Sequence, residues 1–426
     1  DLNLSKEALK VYNFNSNLVL SGVSEKSHLV RKDYVFLALS GTTTHGANFT
    51  SDAVSRGATL IISDTKGEKI IQELGLSIPI YIFSKPREIL ARISSKFFKA
   101  QPSCIVGVTG TNGKTSVAHY VRQIWEFLGE PAASIGTTGV NGLIDLPLEH
   151  TTPDAIKLHW LLHQMVAKGI NKVVIEASSH GLEQSRLDGI KFSTGAFTNL
   201  SRDHFDYHGD MESYFKSKTI LFNRLISLNG RAVISIDDKY GARISKLAKF
   251  NASNLVTVGK NKSAVIRLVS QNFHSRGQEI KVAWEGREYI IPLSLFGDFQ
   301  ANNVLLALGI LCRCGENPNK IIKVEDIAPI ANTIDNKKKE LDSNSQIINN
   351  NLVLYFEDEC WLELYVENEL IETKLFNNGE EYTKVIESPF RIIVGNGDSV
   401  KGTYNGIEID FISNANRLTK VNTINL

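Results

Sequence analysis

Glycines, a lysine and a threonine hydroxyl recur at short intervals in Gly107-Val-Thr-Gly-Thr-Asn-Gly-Lys-Thr115. A short apolar run, Cys104-Ile-Val-Gly-Val108, precedes them. A helical pattern follows, in which Val117, Tyr120, Val121, Ile124, Phe127 and Leu128 recur at spacings of three and four. Strand, glycine loop, helix is the context an anion needs. Glycines let backbone N–H groups turn towards a phosphate, and the helix N-terminus adds positive potential. Lys114 then lies against the outer phosphates and the Thr115 hydroxyl on Mg²⁺. The usual spacing has glycine where this chain has Val108, so Gly110 and Gly113 must make the turns. An ordinary strand-to-helix turn is the alternative to phosphate binding.

Further polar groups cluster downstream. In His150-Thr-Thr-Pro153, Thr152 is expected to cap a helix with Pro153 in its first turn, or Thr151 and Thr152 present hydroxyls to a substrate. Lys172-Val-Val-Ile-Glu-Ala177 reads as a buried strand opening into Ser178-Ser-His-Gly181. A carboxylate there, Glu176, sits where parallel sheets bind ligands and can hold Mg²⁺. Gln184 and Arg186 follow, and an arginine fork suits a carboxylate or phosphate. The run Thr198–Asp210 packs two His, three Asp and an Arg into thirteen residues, which suggests an anionic, metal-assisted site. His204 can ligate Mg²⁺ through a ring nitrogen; Lys218, on a predicted helix, is by default a surface cation.

The elements that must position these groups form an α/β protein of several domains. With 426 residues, 42% hydrophobic and 22% charged, the chain suits two to four domains. A net charge of +1 gives no reason to expect nucleic acid as partner. No apolar run reaches the roughly 18 residues of a membrane span, and Asp1-Leu-Asn-Leu-Ser-Lys6 lacks a signal-peptide layout and an initiator Met. Four cysteines without Cys-x-x-Cys spacing indicate a reduced, cytoplasmic protein rather than a zinc site. Residues 1–98 read as an αβ module, with strands at Val35–Leu39, Thr59–Ile62 and Ile80–Phe83. Residues 99–330 carry the chemistry, 331–351 are a polar linker, and 352–426 a compact all-β sandwich of short strands. Ser27, in Lys26-Ser-His28, donates to a phosphate or closes a turn.

The form Thr-Gly-Thr-Asn-Gly-Lys-Thr resembles the Mur ligase and folylpolyglutamate synthetase superfamily. Glu176-Ala-Ser-Ser-His-Gly-Leu182, Gln184, Arg186 and the Thr198–Asp210 run narrow this to the MurE-type ligase, which adds the third residue of the peptidoglycan stem peptide. Ser24–His28, Asp33–Ala38, Gly41, His45-Gly46 and Phe49 resemble that family's uridine-nucleotide domain, although Lys26-Ser27-His28 stands where Asp-Ser-Arg is common. Phe296–Asn303 resembles the close of the central domain, with Gln300 replacing the usual Asn.

The resemblance implies ATP and Mg²⁺ as cofactors and a P-loop parallel α/β ATPase domain. It assigns Gly110, Thr111, Asn112, Gly113, Lys114 and Thr115 to ATP, with Asn303 on adenine or ribose. Thr115, Glu176, His204 and a carbamylated Lys218 would hold the metal. Ser27, Thr151, Thr152, Ser178, Gln184 and Arg186 would hold UDP-N-acetylmuramoyl-L-Ala-D-Glu. A monomer is expected.

Past residue 330 the family's acceptor-domain motifs do not follow, and Glu316-Asn-Pro-Asn319 is not its amino-acid-selecting motif. Glu357–Trp361, Pro389–Asn396, Tyr404-Asn-Gly406 and Asp410-Phe411 instead resemble the C-terminal domain of the bacterial cell-shape protein RodZ, implying contact with cell-shape machinery. The expected activity is diaminopimelate addition through an acyl phosphate. The rival is a binding fragment that holds both substrates without joining them.

Overall fold

The apolar runs near the N-terminus are strands of one sheet. In chain order the elements are α1 (Leu4–Glu7), β1 (Lys10–Tyr12), β2 (Gly22–Ser24), β3 (Tyr34–Ala38), α2 (Thr50–Ser55), β4 (Ala58–Ser63), α3 (Thr65–Gln72), β5 (Ile80–Ile82) and α4 (Pro86–Phe98). The sheet order is β1-β5-β4-β3-β2, parallel except for β1. β3 and β4 are apolar at nearly every position because both faces are covered. Val35 and Leu37 pack on α4 through Ile89, Leu90 and Ile93, while Phe36 and Ala38 face Ala47, Ala53 and Ile71.

A larger sheet follows. Its elements are β6 (Cys104–Thr109), α5 (Lys114–Phe127), β7 (Ala132–Gly136), β8 (Gly139–Gly142), α6 (Ala155–Ala167), β9 (Lys172–Glu176), α7 (Ser179–Glu183), β10 (Phe192–Phe197), α8 (Phe205–His208), α9 (Met211–Ile220), β11 (Ile226–Ser235), α10 (Lys239–Ser245), β12 (Leu255–Gly259), β13 (Ile266–His274), β14 (Gly277–Trp284), β15 (Arg287–Leu293), α11 (Phe299–Arg313) and α12 (Pro318–Ile321). The strand order is β15-β14-β13-β12-β11-β10-β6-β9-β7-β8. The strands from β7 to β13 run parallel, and antiparallel partners close both ends. β6, which feeds the glycine loop, lies between β10 and β9. α5 and α11 cover one face through Val117, Val121, Leu305 and Leu308; α6 and α9 cover the other through Leu158, Leu162 and Phe215.

The computed structural model describes residues 4–41, 43–203, 205–247, 250–251, 253–321, 351–358, 360–366, 369–386, 390–395, 399–404, 407–409, 411 and 422–425. Two compact units result, Asp1–Ile334 and Asp335–Leu426. Within the first, α4 ties the small sheet to the large one. Ser95 Oγ and Gln101 Nε2 both donate to the Gly189 carbonyl, and Arg224 pairs with Glu88 at 2.9 Å and Asp188 at 2.8 Å. Burial outweighs that arginine and pushes the Asp188 carboxyl up to about 6.

Two sequence expectations change. α6 begins at Ala155 with Asp154 as its N-cap, whose carboxylate accepts from Lys157 N. Thr152 does not cap, because its hydroxyl is drawn into the large sheet, and Pro153 precedes the helix. The antiparallel β13–β15 meander was not foreseen either. The expected linker 331–351 lies outside the described residues except for Asn351. Among the described residues no helix is long and apolar enough to cross a membrane.

The second unit contains β16 (Asn351–Phe356), β17 (Cys360–Val366), β18 (Glu369–Phe376), β19 (Glu381–Val385), β20 (Phe390–Val394), β21 (Val400–Tyr404), β22 (Ile407–Glu408) and β23 (Asn422–Asn425). They form two four-stranded sheets, β19-β16-β21-β22 and β18-β17-β20-β23. Alternate residues of both, including Leu352, Leu354, Leu362, Leu364, Ile392 and Val394, share one apolar layer. Phe356 and Phe376 stack across it with ring centroids 4.2 Å apart.

This small core has little in reserve. Leu354→Ala, at a fully buried position, is expected to cost about 2–5 kcal/mol. Amide hydrogen exchange should then lose protection across β16, β19 and β21. Unchanged protection there would refute the shared core.

Candidate functional site

The register of β6 against β9 sets the centre of the site. Val108 lies opposite Glu176, so the glycine loop and the last residue of β9 leave the sheet side by side. Gly110 (φ 145°) and Gly113 (φ 84°) adopt conformations that side chains rarely take. A Cβ on Gly110 would fall 1.9 Å from Thr198 Oγ1, and one on Gly113 would fall 2.4 Å from Asn303 Oδ1. The loop is also clamped from β10: Thr198 Oγ1 donates to Asn112 O at 2.6 Å, and Asn112 N donates to Asn199 Oδ1 at 3.1 Å. Gly113 is the N-cap of α5 and lays no side chain over the helix's first N–H groups, which suits an anion.

Four expected residues converge here. Thr115 Oγ1 donates to Glu176 Oε2 at 2.9 Å. Glu176 also accepts from Thr137 N at 2.9 Å and from the Thr137 hydroxyl at 3.3 Å. It is 1% exposed, and burial raises its carboxyl above the usual value despite these donors. Lys114 Nζ donates to Gly110 O at 3.0 Å and Thr111 O at 2.7 Å. Lys218 Nζ donates to the same Gly110 carbonyl at 2.7 Å. The expectation of a surface lysine is thus corrected: Lys218 is 1% exposed, because its side chain runs inward from α9 over the Tyr214 ring. Burial, and then the neighbouring Lys114 ammonium, hold its amine well below the usual lysine range. Burial lowers Lys114 too. The Thr115 hydroxyl and Glu176 carboxylate are hard oxygen donors of the kind Mg²⁺ prefers, so the residues present fit that ion. His204 lies outside the described residues.

A second group lines the approach from the small sheet. Thr152 Oγ1 donates to Glu176 O at 2.7 Å and accepts from Ser178 N at 3.0 Å. Ser178 caps α7, and the Thr151 hydroxyl meets that of Thr137 at 3.1 Å. Arg186 donates to Gln184 Oε1 and, through Nη1, to Thr152 O at 2.7 Å. Its guanidinium lines a polar cavity of about 170 Å³ with Glu25, Arg87, His150, Asp154 and Gln184. Burial, then the Asp154 charge, raises the Glu25 carboxyl. Ser27 does not line this cavity; it stands near Asp52 on α2, whose carboxyl it helps hold below the usual value.

A cavity of about 1210 Å³ opens on the other side of the glycine loop, lined by Asn112, Gly113, Asp237, Lys260, Phe299 and Asn303. Asn303 is 3% exposed and donates to Gln300 Oε1 at 3.1 Å. Sequence reading missed Thr137, Asn199 and the Asp237-Asp238 pair. Asp238 accepts from Leu200 N and caps α10, while Asp237 accepts from Lys260 N and Asn261 N. Their signal was available: an Asp pair just past the β-run that ends in Ile234-Ser-Ile236, at the strand ends where such sheets bind ligands.

Residues 108–311 match the Mur ligase middle domain, and residues 353–422 match the RodZ C-terminal domain. The UDP-N-acetylmuramoyl-L-alanyl-D-glutamate--2,6-diaminopimelate ligase of Bradyrhizobium diazoefficiens is 40% identical over 304 residues, covering 70% of this chain and 61% of the relative. The ligase of the same name from Chelativorans sp. is 42% identical over 307 residues, with coverages of 71% and 62%. A solved structure of a ligase of that name superposes with a TM-score of 0.63 at 28% identity, covering 71% of this chain and 61% of that one. MurF from Acinetobacter baumannii shares the fold, with a TM-score of 0.53 at 15% identity, covering 76% of this chain and 67% of that one. The chain spans about three fifths of the length of the relatives it matches.

The raised Glu176 carboxyl has a stability consequence. Its folded-state value lies above 4.5, so the unfolded chain ionises first and stability falls as pH rises through the folded value. Glu176→Gln removes that cost. At pH 7, without ligand, the variant should unfold at a higher temperature than the parent. The gain should vanish below about pH 4.5. Scanning calorimetry at both pH values checks this, and a less stable variant at pH 7 would contradict it.

Proposed function

We propose, with the Mur ligase fold as premise, that the chain is an ATP-dependent ligase that joins an amino acid to the terminal carboxylate of UDP-N-acetylmuramoyl-L-Ala-D-Glu. The observation that carries this reading is the Thr115–Glu176 contact at 2.9 Å beside the glycine loop, with Lys218 buried on Gly110 O. A carboxylate oxygen of the dipeptide attacks the γ-phosphorus of ATP and ADP leaves. The acceptor amine then attacks the acyl carbon and phosphate leaves. Diaminopimelate is the proposed amine, since the relatives above are named for it.

Each residue has a task. The Gly110–Gly113 backbone and the α5 N-terminus cradle the β- and γ-phosphates, and Lys114 turns from the loop carbonyls to the γ-phosphate. Asn303, which lines the large cavity, is assigned to adenosine. Arg186, held in register by Gln184 and Thr152, takes the donor's carboxylate, with Thr151 and Ser178 beside it. Ser27 is assigned to the uridine side. Thr115, Glu176, His204 and carbamylated Lys218 would hold Mg²⁺, which when bound neutralises charge gathering on the phosphate oxygens. Burial lowers the Lys218 amine, which favours the unprotonated nitrogen that adds to CO₂, releasing a proton and leaving a carbamate. The second unit, matching the RodZ domain, is proposed to contact cell-shape proteins.

Mass spectrometry after incubation with ATP, Mg²⁺, the UDP-dipeptide and a mixture of diaminopimelate and lysine tests the reaction. A tripeptide carrying diaminopimelate is expected. Lys114→Ala should lower the rate roughly a hundredfold or more. Phosphate release without tripeptide would restrict the chain to the donor half-reaction; no phosphate release, with both substrates bound, would leave a binding protein.

A further inference from the structure

Tyr214 is 1% exposed and meets both the glycine loop and Lys218. Its hydroxyl meets Thr111 Oγ1 in the glycine loop at 3.3 Å. Thr111 Oγ1 in turn accepts from Ser201 N at 3.1 Å, at the start of the polar run. Lys218 Nζ lies 4.4 Å from the centre of the Tyr214 ring. The ring also packs against His208, with centroids 5.0 Å apart. His208 has a side chain only 2% exposed, and its Nδ1 is 3.3 Å from Glu183 at the end of α7. Tyr207, beside it, accepts from Gln184 Nε2 at 3.4 Å, and Gln184 holds Arg186.

We propose that Tyr214 is the positioning residue that keeps the phosphate loop, the metal-binding lysine and the Glu183–Arg186 segment in mutual register. Two parts of one side chain divide the task. The hydroxyl fixes the glycine loop through Thr111. The ring face fixes Lys218 and, through His208, the segment that carries Gln184. This inference rests on the ligase reading above.

Two variants of the full chain separate these parts. Tyr214→Phe keeps the ring and removes only the hydroxyl. It should weaken Mg²⁺-ADP binding about fivefold by calorimetry, the worth of one hydrogen bond, and leave UDP-dipeptide affinity and the carbamate unchanged. Tyr214→Leu removes the ring as well. It should lose the carbon-13 NMR signal of the carbamate formed from labelled bicarbonate, and weaken UDP-dipeptide binding too. Circular dichroism checks that both fold. Equal ADP affinity in Tyr214→Phe, or a retained carbamate in Tyr214→Leu, would overturn the proposal. So would a Tyr214→Leu chain that does not fold while Tyr214→Phe matches the parent in ADP binding. A parent that binds neither ADP nor CO₂ would sink the ligase reading itself, which the variants' comparison with the parent reveals separately.

Discussion

The hydrogen bond between Thr115 and Glu176 joins the first turn of α5 to the end of β9. It exists only because β6 and β9 are neighbours in parallel register, with Val108 opposite Glu176. Shifting that pairing by one residue would turn the carboxylate to the other face of the sheet. The interior strands therefore do more than supply a core. Val106, Val108 and Val174 pack beneath α5, and that packing holds the register.

Ionisable groups this deep would be costly if each stood alone. Here they share partners. Glu176 accepts three hydrogen bonds from Thr115 and Thr137, and the two lysines converge on Gly110 O. Even so, burial dominates: the carboxyl is pushed up and both amines are pulled down. Such a site gains most when a polyanion and a cation arrive together, because each compensates groups the protein has already desolvated.

How much of this could be read in advance follows from the range of each interaction. The glycine loop, β9 and the β-unit's strands were legible because their signals are local: turn residues and apolar periodicity. Glu176 was legible because a strand end beside a glycine loop has a fixed place in a parallel sheet. Thr152 was misread as a cap because its hydroxyl has a distant competitor, the Glu176 carbonyl, while Asp154 takes the local role. From pattern alone Lys218 defaulted to the surface because α9, Met-Glu-Ser-Tyr-Phe-Lys-Ser-Lys-Thr-Ile, shows no clean apolar stripe. Yet Tyr214 and Lys218 are four apart and so share a helix face, which the sequence alone could have suggested. The β13–β15 meander escaped notice because more than half the positions of β13 and β15 are exposed, so the apolar alternation is broken, as befits strands at the end of a sheet.

That end of the sheet has a further effect. A sheet of ten strands offers two open edges, each a template for another chain. At one, β8 spans only four residues and carries glycine at both ends. At the other, β15 carries Pro292, which has no N–H to donate, and begins with the charged pair Arg287-Glu288. Neither edge invites a neighbouring molecule to extend the ladder, so a crowded solution of this protein has no ready route to fibrils through its largest sheet.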